Sequence, residues 1–587
     1  MNSKPYIKEA EHFLNHEKQF HLGMLPTEQP NPKTSKLEQI FASSPPEGVK
    51  TLLNVDHDVA AMLKRVLGSR KFGAMAQSGF NTLLSNGRII FSGCGATGRL
   101  SVLLESMWRC FFIDLKDSNP AAYAKISQFE DSVYSIMTGG DFALVRSVES
   151  FEDYPQFGRQ QAKELNINSN DMLVAITEGG ETSSVLGTVE YAAEQGASVF
   201  LMFNNPAEIL CEYIERSRKA IKDSRVTVLD LFCGPMAIAG STRMQATTSE
   251  QMVAGTMLEM ILTEILELNC TYDEIDTLGI DFHDFAAEFE FLLDELTCPE
   301  NTETLAKLIK YEADIYSKQG LVTYFADEYL LDIFTDTTER SPTFMLPPFK
   351  KADDTTAPPS WAFVKYPKLS TPETWRKVLG RDVRCLEWDT PLYKELKAPS
   401  KIIASPPQIN SWEVMKFPIG NEPDDSRLSR TPSAAIMVAG SSEASNLQKF
   451  NSFEKSIRQE AVKFTELKSV IIGNSSAKAD FVIKCNIPRS PLHLLEHIAF
   501  KLILNTLSTG TMVLMGRVAG NWMSWVQVSN KKLRDRGIRL ISELCGVTYK
   551  EACYSLHEAI HELAANHTPE AESPSPIQYT IQKINGS

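Results

Sequence analysis

Two apolar rhythms alternate along the chain. Between about residues 55 and 270, short runs of branched and aromatic side chains separate stretches in which apolar residues recur every three or four positions. The runs at 88–92, 173–177, 199–203 and 226–231 predict strands, and the stretches between them predict helices. Strands alternating with helices imply a parallel sheet with helices on both faces. After a helical stretch near 285–318 the rhythm starts again, with strands predicted at 320–326, 435–439, 469–472 and 481–485. The segments "VAITEGGETSS" (174–184) and "MVAGSSEASN" (437–446) share a pattern, an apolar strand followed by a Gly/Ser/Thr/Glu loop, which indicates a weak internal duplication.

The expected division is an N-terminal arm at 1–54, a first α/β domain at 55–275, a second at 285–500, a helical C-terminal segment at 501–567 and a flexible tail at 568–587. Prolines and tryptophans between 341 and 433 predict long loops there. The 252–268 stretch carries Glu259, Glu264 and Glu267 and reads as an amphipathic helix with a core face.

Composition narrows the class. The 587 residues are 43% hydrophobic and 23% charged, as in an ordinary globular protein, and more than one core is expected. A net charge of −15 argues against nucleic acid as the main partner. No apolar stretch of membrane-spanning length and no secretory signal is read, and the ten cysteines never form C-x-x-C, so the expected place is the cytoplasm.

The candidate chemistry begins at "IIFSGCGATGRLSVLLESMW" (89–108). Gly93, Gly95 and Gly98 are spaced G-x-G-x-x-G between a strand and a helix. Backbone N–H groups at such a helix start lack internal partners and favour an anion. A dinucleotide would also want an acid about 20 positions onward, for which Asp114 is available. Two more loops, Thr177 to Ser184 with Gly180 and Thr182, and Gly240-Ser241-Thr242-Arg243-Met244, add hydroxyls. Three hydroxyl-bearing loops and an arginine suit a compact phosphate on a polyol better than a dinucleotide; for any single Ser or Thr, helix capping is the plainer explanation.

"GATGRLSVLLES", "VRSVESFED", "GSTRM" and "LNTLSTGTMVLMGRVAGNWM…VSNKKLRDR" resemble, in order, the N-acetylmuramic acid 6-phosphate etherases and the related glucokinase regulatory protein, both of the sugar-isomerase (SIS) type. The resemblance covers roughly 55–270 and 495–555 and is weaker over 285–490. It implies two tandem SIS-type, flavodoxin-like parallel-sheet domains with a helical C-terminal segment. It also implies one sugar-phosphate site. Thr97, Ser241 and Thr242 would meet the phosphate, beside Gly95 and Gly98. Thr182 with Gly180, Glu152, Lys532 and, from the second domain, Glu339 would complete it. Glu178 and Glu181 depart from the family's second loop, where they would repel a phosphate unless turned to sugar hydroxyls.

Ether cleavage by elimination needs a base for the proton beside the opened aldehyde and an acid for the departing oxygen. Glu152 fills one etherase glutamate position; Met107 stands at the other, and Glu105, two residues away, points about 200° elsewhere on a helix. The expectation is therefore a regulatory or sensing protein that binds a hexose or hexosamine 6-phosphate without turnover. The alternative is an N-acetylmuramic acid 6-phosphate etherase or another sugar-phosphate-converting enzyme, with Glu152 catalytic. By resemblance the sensor would have a protein partner, a sugar kinase among the candidates. No cofactor, metal, nucleic acid or membrane is expected. "HEAIH" (557–561) and "HLLEH" (493–497) match zinc-site spellings but have no third ligand in view, and the basic run 530–539 reads as a solvated helix face with one ligand-reaching lysine.

Overall fold

A computed structural model describes all residues except 1–3, 149, 279–282, 529, 566–573 and 587. Five strands form the first sheet: β1 (Ile89–Gly93), β2 (Val133–Met137), β3 (Met172–Ile176), β4 (Ser198–Phe203) and β5 (Val226–Asp230). Their order is β2-β1-β3-β4-β5 and all neighbours are parallel. Five more form the second sheet: β6 (Leu321–Phe325), β7 (Ala362–Lys365), β8 (Ser433–Gly440), β9 (Glu466–Ile472) and β10 (Phe481–Ile483). The order β7-β6-β8-β9-β10 repeats the topology of the first sheet, again all parallel. The chain therefore holds two flavodoxin-like α/β halves in tandem. Helices cover both faces, so β1 and β3 are buried at every position; β3 reads as an unbroken apolar run and β1 as one as far as Phe91.

The two halves share one continuous hydrophobic core. At its centre lie the helices Gln245–Asn269, Leu330–Phe344 and Leu494–Leu514. The first is buried over most of its length, not on one face alone, because the Leu494–Leu514 helix packs on it. Its Glu259 is only 2% exposed and accepts hydrogen bonds from Ser490 Oγ (2.6 Å) and the Leu492 N–H (3.1 Å). An acid that looks like solvent-face punctuation in sequence thus braces the entry to the next central helix.

Several expectations change. β2 and β7 were not predicted; each is an edge strand beside the strand that comes first in its sheet along the chain. The 341–433 region carries β7 and short helices such as Thr371–Leu379, not loops alone. The C-terminal segment is helical except for an antiparallel pair, Val518–Ala519 with Trp522–Met523. The expected flexible tail contains the helix Pro576–Asn585, whose Ile577 is fully buried against the helices Lys531–Cys545 and Tyr549–Ala565. No helix among the described residues is long and apolar enough to cross a membrane.

Candidate functional site

The glycine turn leaves the carboxyl end of β1. Gly95 has φ +59°, and a Cβ on Gly93 would lie 2.3 Å from the Thr97 carbonyl oxygen, so both positions need glycine. Gly98 packs on Met137. Thr97 is fully buried: its Oγ1 accepts from the Cys94 N–H (3.0 Å) and donates to the Cys94 carbonyl (2.9 Å). The hydroxyl expected on the phosphate thus braces the turn, and its single proton is already committed. N–H groups at a helix start lack internal partners, so an anion could still be met by the backbone here.

The second loop follows β3. Gly180 has φ +76° and leaves no room for a side chain beside Leu210. Thr182 precedes the helix Ser183–Glu194, and its Oγ1 accepts from Thr177 Oγ1 (3.0 Å). Glu178 and Glu181 both turn inward and are nearly buried, so the departure seen in sequence lies within the site. Burial would raise Glu181, but Lys532 Nζ (2.9 Å) and Arg216 (2.9 Å) hold it at about 2. Glu178 accepts from the Thr242 hydroxyl at 3.4 Å, and burial, helped by Glu339 and Glu181, pushes it up to about 7. Glu152, on a short turn (Phe151–Asp153), is also pushed up to about 7, by burial first and then by Asp153 and Glu181. It accepts a hydrogen bond from Asn530 Nδ2 (2.8 Å). Lys532 acts on all three carboxyl groups.

The third loop carries Gly240 at φ +72°, held against Arg536, and Ser241, whose N–H bonds the Ile238 carbonyl. Thr242 reaches Glu178 as above. Arg243 instead turns to the second half: it donates to Asp336 (3.0 Å), Asn505 (3.3 Å), Ser508 (3.1 Å) and Thr509 (3.1 Å). Glu339, on the helix Leu330–Phe344, lies 3.8 Å from Arg99. It lines a cavity of about 40 Å³ together with Ala96 and Arg243, and its charge is one of those that raise Glu178.

Sequence reasoning missed three contributors. Glu28, in the N-terminal arm, is 1% exposed and pairs with Arg536 (2.8 Å) and Arg539 (3.1 Å), with Lys532 at 3.8 Å. It sets the helix that presents Lys532, and no local pattern announces it. Arg216 is likewise silent in sequence. Asn530 had a signal, since an Asn before an apolar-periodic run marks a helix start: its Oδ1 accepts from the Leu533 N–H (2.8 Å).

The remaining candidates fall away from the site. Met107 is core, 4% exposed. Glu105 is fully buried among Arg109 (2.9 Å), Arg381 (3.1 Å) and Arg384 (2.9 Å) and accepts from Ser135 (2.6 Å), so it is fixed in place. Asp114 is exposed near the far end of the Ala96–Ser118 helix. The residues after β2, where a dinucleotide site needs its ribose acid, are Thr138-Gly139-Gly140. His557 is buried on the Cys553 carbonyl (2.8 Å), His561 pairs with Glu9 (3.1 Å) and His497 with Asp332 (3.0 Å). Among the described residues no His/Cys/Asp/Glu group is arranged to hold a metal.

Residues 74–193 match the family model for the glucokinase regulatory protein N-terminal SIS domain. N-acetylmuramic acid 6-phosphate etherase 1 of Bacillus licheniformis is 30% identical over 256 residues, 43% of this chain and 73% of that protein. The N-acetylmuramic acid 6-phosphate etherase of Pseudothermotoga lettingae is 29% identical over 255 residues, 43% of this chain and 74% of that protein. More loosely, the C-terminal domain of glucosamine-fructose-6-phosphate aminotransferase from Francisella tularensis aligns with 80% of this chain and 96% of its own at 9% identity and a TM-score of 0.43. With three-quarters of an etherase matched at this identity and two parallel-sheet halves in one chain, the protein belongs, as a tandem-SIS member, to the family of the N-acetylmuramic acid 6-phosphate etherases and the glucokinase regulatory protein.

Proposed function

We propose that this chain binds a hexosamine 6-phosphate at the carboxyl edge of the first sheet and cleaves a lactyl ether from it. What carries this reading is that two loops bring buried carboxyl groups to the same lysine's field: burial pushes Glu152 and Glu178 each up to about 7, against the pull of the Lys532 ammonium. Met107 by itself favours binding without turnover. Glu178 shifts that balance, because it supplies a second titrating carboxyl from a different loop. Near neutral pH one of the pair can take the proton next to the opened aldehyde while the other gives one to the departing ether oxygen. The glycine-turn N–H groups, Ser241 and Lys532 would hold the phosphate, with Gly95, Gly98, Gly180, Thr182 and Thr242 shaping the loops around it. The matched etherases, named for this substrate, support the same reading.

The test is D-lactate release from N-acetylmuramic acid 6-phosphate by the purified protein. Turnover that Glu152→Gln and Glu178→Gln each abolish is expected. Release that survives Glu178→Gln would remove that residue from the chemistry. A second reading, a sensor that binds the sugar phosphate and signals to a protein such as a sugar kinase, is favoured by Met107 and by the regulatory protein's name on the matched domain model. Saturable stabilisation by the sugar without lactate would select it.

A further inference from the structure

The cavity that Glu339 lines has polar atoms on its wall that no residue satisfies. Four buried atoms on its wall have no hydrogen-bond partner among the described residues: Arg243 Nε, Gln251 Nε2, Thr335 Oγ1 and Glu339 Oε1. Arg243 is 4%, Gln251 1% and Glu339 6% exposed. Buried polar groups are rarely left unpaired, and four around one space point to a ligand that pairs them. Three of the four can donate. Asp332 and Asp336 also line the space, but His497 and Arg340 take them up (3.0 and 2.8 Å). Arg99, Lys501 and Glu339 line the space as well. Leu100 and Leu103 add an apolar side. At about 40 Å³ the space holds a few heavy atoms and not a hexose.

The cavity also adjoins the sugar-phosphate loops. Ala96 directly follows Gly95, and Arg243 directly follows Thr242. A small group attached to a sugar bound at those loops is therefore within reach. We infer that this cavity receives the lactyl arm of the substrate. The arm's carboxylate would accept from Arg243 Nε, Gln251 Nε2 and Thr335 Oγ1, and its methyl would face Leu100 and Leu103. On cleavage the acid gains a hydroxyl, which Glu339 Oε1 can accept from. The inference rests on the etherase reading above. It makes Gln251 and Thr335 specificity-determining residues, separate from the carboxyl pair that would do the chemistry.

The experiment compares two sugars that differ only in the arm. Calorimetric affinities for N-acetylmuramic acid 6-phosphate and N-acetylglucosamine 6-phosphate are measured on Glu152→Gln protein, so that turnover does not interconvert them. The muramic sugar is expected to bind about tenfold or more tightly, as two or three added hydrogen bonds would give. Adding Gln251→Leu or Thr335→Val should erase most of that advantage and leave the affinity for N-acetylglucosamine 6-phosphate unchanged. Both replacements keep side-chain size and remove an unpaired buried group, so the fold is expected to hold, and a thermal scan checks it. Equal affinity for the two sugars, or an advantage that survives in both variants, overturns the inference and leaves the sugar-phosphate reading intact. No binding of either sugar overturns both.

Discussion

At the residue scale the site depends on how four glutamates share few cations. Glu181 is ion-paired at about 2, so it stabilises the fold above the unfolded glutamate range, and that stability is lost as pH falls through about 2. Glu178 has the opposite sign. Raised to about 7, it favours folding only while protonated, and stability falls as pH climbs from the unfolded range near 4.5 to about 7. Glu178→Gln should therefore change stability little at pH 5 and raise it at pH 8, by up to about 3–4 kcal/mol; denaturant titrations at the two pH values measure it. Catalysis by the pair requires one carboxylate and one carboxylic acid, so lactate release should follow a bell centred near pH 7. Lys532→Ala should weaken sugar-phosphate binding by roughly 10- to 100-fold, the worth of a charge-assisted contact. Thr97→Val should instead cost about 1 kcal/mol of stability with little loss of affinity, because the hydroxyl serves the turn. An affinity loss matching that of Lys532→Ala at unchanged melting temperature would put the hydroxyl on the ligand.

At the element scale, the helix Lys531–Cys545 is aimed by both ends of the chain. Asn530 caps it and also holds Glu152. Asn530→Asp keeps the cap but sets a carboxylate beside Glu152, so the limb of the lactate-release profile that Glu152 sets should move to higher pH, the acidic limb if Glu152 is the base and the alkaline limb if it is the acid, read from rates across the pH range. The strands that sequence patterning predicts are those that carry a clear run of branched apolar residues. β2 ("VYSIM") is an edge strand whose Tyr134 and Ser135 are only partly buried, and β7 ("AFVK") is four residues long in a proline-rich stretch, so neither leaves a strong apolar run. The glycine turn was legible because its backbone demands glycine at fixed spacing. Glu178 was visible as an anomaly, but its burial beside Lys532 was not, since 354 residues separate them and only the fold sets their distance. Glu28 and Arg216 were illegible for the same reason.

At the scale of the whole molecule, a buried charge relay ties the halves together. Arg243 of the third loop pairs with Asp336 (3.0 Å), Asp336 with Arg340 (2.8 Å), and Arg340 with Glu312 (2.7 Å). Glu312 accepts from Tyr316 (2.8 Å), from Tyr324 of β6 (2.6 Å) and from Thr511 (3.0 Å). Replacing one member leaves its partners charged and buried, so Asp336→Ala should cost about 3–5 kcal/mol. With one shared core, the loss should appear as a lowered single transition by calorimetry. Two separate transitions, with only one displaced, would show that the halves unfold independently.

The lock formed by Glu28 with Arg536 and Arg539 has a consequence for biosynthesis. A ribosome delivers the arm first and the helix bearing Lys532 after some five hundred further residues. The first sheet can form while the chain is still emerging, yet Lys532 joins Glu181 only after translation has passed it and the arm has been caught. A nascent chain therefore carries Glu181 and its loop long before it carries the cation that pairs with it. Sugar phosphate in the cell can stabilise the finished molecule, but it has no complete pocket through which to guide the folding of the half that is made first.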